Sequence, residues 1–148
     1  MVIHLADKKF EVGASQERIW RLIGKVIFSS LPGMENVEIL DENNFRAILR
    51  MKVLGLPVNM KLKGEMVDIS PPDSFSVKLL IEGLGGWFQA DQKVTFAMTP
   101  LEEKRTSVSS MASIENLGFF SRLLLLGQAR RFADSIFEAI EKRLIDLA

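Results

Sequence analysis

A chain of 148 residues has the length of one domain, residues 1–148, and is large enough to bury a substantial core. Nineteen basic and nineteen acidic side chains cancel with no Lys/Arg block, which argues against nucleic-acid binding, whose affinity rests on clustered positive charge. The absence of cysteine removes disulfides, thiol catalysis and thiolate metal sites.

Residues 3–12 predict a first strand with Phe10 and Val12 on one face. Gly13, Ala14 and Ser15 break it, and Ser15 is a suitable N-cap for a short helix over 16–23 that buries Ile19, Trp20 and Ile23. Gly24 ends or bends that helix, and residues 26–31 predict a second helical turn or two. Pro32 and Gly33 then turn the chain into a strand near 35–40.

A run of strands follows. After a turn at 41–44, Phe45, Ala47, Leu49, Met51 and Val53 alternate with Arg46, Arg50 and Lys52, the period of a strand with one wet face. Beyond the turn at 54–57, Val58, Met60, Leu62 and Met66 alternate with polar residues. Val67 and Ile69 fall out of that phase, which predicts a β-bulge near Met66. Residues 70–73 turn again, and Phe75, Val77, Leu79 and Ile81 point inward. The glycine-rich stretch 83–86 leads into 87–99, with Phe88, Ala90, Val94, Phe96 and Met98 inward. A last turn at 100–104 precedes a strand over 105–115.

Residues 117–147 predict one long helix. Phe119, Leu123, Leu126, Ala129, Ala133, Phe137, Ile140 and Leu144 fall into one broad apolar stripe, with Asp134, Glu138, Glu141 and Lys142 outside it. A stripe that long needs a sheet to cover it. The expectation is an α+β fold: about seven antiparallel strands curved around a long C-terminal helix, two short helices after the first strand, and a cavity between helix and sheet. No secretory signal and no apolar run of about 20 residues is visible, so the chain reads as soluble and cytoplasmic.

Several of these stretches together resemble a known family. Leu31, Pro32, Gly33, Met34 and Glu35 after the helical segment, then Gly64, Glu65 and Met66, then Gly83 to Gly86, then the long terminal helix, look like the CoxG-type family of carbon monoxide dehydrogenase subunits. That family belongs to the START/Bet v 1-like (SRPBCC) helix-grip superfamily, and the likeness spans nearly the whole chain. It implies a hollow fold for apolar molecules. It also implies a role in bringing an oxidoreductase complex together with the membrane quinone pool, and hence transient contact with a membrane.

A meander places alternate turns at opposite ends of its sheet. Residues 41–44, 70–73 and 100–104 are polar and charged, as surface turns usually are. The other end collects 31–34, 54–57, 83–87 and 117–120, with Leu, Met, Trp and Phe and hardly a charge. Such apolar loops either form a gated mouth or pack together to close the core. A mouth places Met34, Trp87 and Phe120 at its rim, and Met51, Met60, Phe88, Phe96, Met98, Phe119, Leu123 and Leu126 around the cavity.

Gln92 and Ser110, with Thr106, lie in the inward phase, and buried polar groups require partners. A ligand carbonyl, a trapped water or a neighbouring strand side chain would serve. Arg122 and Arg130 fall inside the helix's apolar stripe. Arg130 either aims its guanidinium at a head group in the cavity or, if Gly127 resets the phase, reaches solvent along its stem; the cost of unpaired buried charge favours solvent. His4 is the only histidine and no carboxylates cluster at ligand spacing, so neither a metal site nor a cofactor is expected.

The function expected is the binding or transport of an apolar small molecule, an isoprenoid quinone or a lipid. The resemblance adds a partner oxidoreductase of the CO dehydrogenase type. The rivals are an enzyme of the same superfamily, such as a polyketide cyclase-like or hydrolytic member, and a protein-interaction subunit whose apolar end is an interface. No Ser/His/Asp or carboxylate pair can be assembled, so binding without catalysis leads. The oligomeric state stays open.

Overall fold

The computed structural model describes the backbone of residues 2–148 except 31, 32, 54 and 118. The side chains of 28–30, 53, 116–117 and 119–128 lie outside the description. The chain runs β1 (Ile3–Val12), α1 (Gln16–Ser30), β2 (Met34–Ile39), β3 (Asn44–Val53), β4 (Leu56–Ser70), β5 (Ser74–Gly83), β6 (Phe88–Glu102), β7 (Arg105–Leu117) and α2 (Phe119–Leu147). All seven strands form one antiparallel sheet in the order β1-β7-β6-β5-β4-β3-β2. Six consecutive strands make the meander, and β1 returns to pair with β7, the last of them. The two helices cover one face.

Alternation dictates that face. Along β5, Phe75, Val77, Leu79 and Ile81 are buried, as are Phe88, Ala90, Gln92, Val94, Phe96 and Met98 along β6. Against them α2 lays Ala133, Ile136, Phe137, Ile140 and Leu144, all buried at the helical period. Each large side chain so covered contributes roughly 1.5–3 kcal/mol relative to exposure.

The expectation of two short helices after β1 is corrected: one 15-residue helix spans Gly24. Its apolar residues Ile19, Ile23, Val26 and Ile27 are all buried, so one continuous stripe outweighs the weak helix preference of a single glycine. Ser15 caps it, accepting from the amide of Arg18 at 3.3 Å. At that end Gln16 donates to Asp73 Oδ1 and to the carbonyl of Met98, both at 3.0 Å, and Arg18 donates to the carbonyl of Leu147 at 2.9 Å. The N-terminus of α1, two sheet turns and the C-terminus of α2 are thereby tied together. The bulge expected near Met66 lies just beyond it, where β4 and β5 slip register between Val67 and Ser70 and Asp68 takes φ 52.

An aromatic chain closes this polar-turn half. Trp20 of α1 meets Phe75 edge-on at 5.6 Å, Phe75 stacks on Phe96 at 5.3 Å, and Phe96 meets Phe137 of α2 edge-on at 6.3 Å. Beside it, Lys8 of β1 forms an ion pair at 2.6 Å with Glu141 of α2. Lys8 pairs in register with Ser110, hence shares the covered face. The hydrogen bond from Lys8 to Glu141 raises the lysine pKa above its ordinary value, against the opposing effect of burial.

Candidate functional site

Cross-strand register arranges the covered face into rows. The outermost row at the apolar end reads Met34, Leu49, Met60, Gly83 and Phe88, from β2 to β6. Met60 and Phe88 are buried, Met34 partly so, and Met51 is partly buried one step further out. Gly83 is required there, because a Cβ would come within 2.8 Å of Met60 Cγ. The next row carries Ala47, Leu62, Ile81 and Ala90. The third carries Phe45, Gly64, Leu79, Gln92 and Ile114. Phe96 and Ser110 come two rows deeper, and Met98 deeper still.

The hairpin tips at this end carry apolar side chains into solvent. Leu56 is 67% exposed, Trp87 64% and Leu84 44%. The turn between β5 and β6 is a short 3-10 segment, Leu84–Gly86, in which Leu84, Gly85 and Gly86 all have positive φ. Gly85 and Gly86 suit those angles; Leu84 is held there with its side chain outward. The turns at the opposite end are polar. Asp41 accepts from the amide of Asn43 at 2.8 Å and from the side chain of Asn44 at 2.9 Å; these bonds, the Asn44 side chain first, hold its carboxyl below the usual range.

The expected site residues therefore separate. Met34, Met51, Met60, Trp87 and Phe88 gather at the apolar end, with Gln92 two rows inside it. Phe96, Met98 and Ser110 belong to the packed half. There, Ile27, Val77, Leu79, Val94, Phe96, Ile136 and Ile140 leave a cavity of about 10 Å³, room for one water at most. Arg130 is exposed, on the solvent side of α2. Phe119, Phe120, Leu123 and Leu126, with Arg122, lie outside the described side chains.

Of the inward polar groups, Thr106 donates to the carbonyl of Ala14 at 2.8 Å. Gln92 is 3% exposed and Ser110 1%, and Nε2 of the first and Oγ of the second have no hydrogen-bond partner among the described residues. His4 is exposed and lies 3.3 Å from Asp7. Among the described residues no group of three His, Cys, Asp or Glu could hold a metal ion, and no helix is long and apolar enough to cross a membrane.

The largest cavity lies where the strand patterns give no sign of one. A groove of about 730 Å³ runs over the other face of the sheet, from β2 to β6, lined by Leu40, Arg46, Lys61, Lys63, Glu82 and Asp91 among others. Its basic and acidic groups balance, and Arg46 is engaged by Glu38 at 2.7 Å.

The sequence model of the CoxG family, a carbon monoxide dehydrogenase component of the G type, matches residues 9–145. The chain belongs to the CoxG family. Comparison with curated proteins gives no match. Among solved structures, a conserved protein from Geobacillus kaustophilus is 18% identical with a TM-score of 0.71, covering 93% of each chain. A START superfamily protein from Mycobacterium smegmatis is 15% identical with a TM-score of 0.62, covering 98% of this chain and 99% of that one. The Zhui aromatase/cyclase from a Streptomyces species is 14% identical with a TM-score of 0.60, covering 97% and 96%. At such identities the likeness is one of fold, and it assigns a START/Bet v 1-like architecture to this CoxG-family protein.

Proposed function

We propose that this CoxG-family protein binds an apolar small molecule, an isoprenoid quinone or a lipid, on the helix-covered face of the sheet at its charge-free end. It acts as an accessory component that passes this molecule between a membrane and a CO dehydrogenase-like oxidoreductase. The observation that carries the reading is the exposure of Leu56, Leu84 and Trp87 on hairpins whose covered face continues into Met34, Met60 and Phe88. Exposed apolar tips are unfavourable in water unless they serve an interaction. An apolar ligand gains roughly 25 cal/mol for each Å² it buries.

The enzymatic alternative is favoured by the aromatase/cyclase among the fold neighbours. It requires an ionisable group deep in the fold, whereas the buried polar side chains among the described residues are Ser76, Gln92, Thr106, Ser107 and Ser110. Native mass spectrometry of the purified protein, followed by organic extraction, is the test. A co-purified quinone or lipid at near-stoichiometric amount is expected. An empty protein that dimerises through the Trp87 end, or one that turns over a polyketide, would overturn the proposal.

A further inference from the structure

We infer that the ligand enters polar end first, and that Gln92 donates a hydrogen bond from Nε2 to a carbonyl-type oxygen at the inner end of the site. This rests on the proposed binding reading and deepens it. Nε2 is a donor, is buried, and lacks an acceptor among the described residues. A buried donor left unpaired is costly, so the position is suited to a bound acceptor.

The depth of Gln92 fixes the orientation. It lies four residues along β6 from Phe88 in the outermost row, roughly 13 Å at strand rise. Between them the covered face is apolar: Phe88, Ala90 and Ile81. Immediately beyond Gln92 the packed half begins, where Val94 and Phe96 meet Ile136 and Ile140 with only about 10 Å³ unfilled. A ligand entering from the charge-free end therefore reaches Gln92 and stops. Its polar atom lies at this floor, and its apolar tail trails outward towards Leu84 and Trp87.

Two probes differing by one carbonyl test the donor: 1-phenyldodecan-1-one and dodecylbenzene, titrated calorimetrically into the full chain. The wild-type protein is expected to prefer the ketone roughly tenfold, the worth of one good hydrogen bond. Gln92→Met, which keeps the volume and removes the donor, is expected to abolish that preference while retaining dodecylbenzene binding. Equal binding of both probes by the wild type, or an undiminished preference in Gln92→Met, would overturn the inference and leave the binding reading standing. Binding of neither probe by the wild type would sink both. Orientation is read in a Trp20→Phe background, where Trp87 alone fluoresces. A bromine on the tail terminus should quench Trp87 more than a bromine on the ring, and the opposite order refutes polar-end-first binding.

Discussion

At the scale of single residues, two contacts explain sequence features that look arbitrary. Gly64 sits in register with Phe45, and a Cβ there would overlap the phenyl ring. Gly64→Ala is expected to cost about 1–3 kcal/mol by overpacking. Combining it with Phe45→Leu should cost less than the sum of the two single changes, as a urea-unfolding cycle would show; strict additivity would mean that the ring is not the obstacle. Lys8 belongs to the same inward phase as Phe10 and Val12, an anomaly visible in the sequence, whereas its partner Glu141 stands at the far end of the chain. Because its folded pKa is raised, its contribution is intact below the ordinary lysine value of 10.5 and is lost as pH rises through the higher folded value. Lys8→Met should therefore be less stable than wild type by about 1 kcal/mol near neutral pH, a half-exposed pair being worth little more. In strongly alkaline solution the two proteins should unfold at nearly the same urea concentration. A difference that stays constant across this range would assign the effect to packing.

At the scale of elements, the strands are legible in the sequence because one face of each is buried and period-two patterning survives. Gly24 misleads because a glycine is judged locally, while α1 is held by Ile19, Ile23, Val26 and Ile27 packing across the sheet. Added atoms at Gly24 would meet nothing within 4 Å, and its backbone is helical. Gly24→Ala should accordingly stabilise the protein by about 0.5–1 kcal/mol, seen as a higher midpoint in thermal unfolding. A lower midpoint would indicate that α1 uses its glycine as a bend. The partition of site residues is less legible. Phase alone puts Met60, Gln92, Phe96, Met98 and Ser110 on one face, but their depths follow from register across β5, β6 and β7, which no local pattern encodes. The groove on the opposite face is hidden for the same reason, since Arg46, Lys63 and Asp91 come together only through four paired strands.

At the scale of the whole molecule, the two ends of the sheet face different environments. One is locked by Gln16, Asp73 and Arg18; the other presents Leu56, Leu84 and Trp87 on tight turns. Exposed side chains contribute little to folding, so replacing them separates function from stability. Leu56→Ser combined with Trp87→Ser should leave the unfolding midpoint nearly unchanged while reducing both co-purified apolar ligand and co-sedimentation with lipid vesicles. Leu101→Ser supplies the control: that leucine is 42% exposed, yet it lies at the polar end beside the β6–β7 turn. If greasiness in general drove vesicle association, the control and the double variant would lose it in proportion to apolar area removed. If the charge-free end is the working end, only the double variant loses it, and the extracted ligand falls in parallel. Equal losses in the two variants would leave the exposed tips without the role assigned to them.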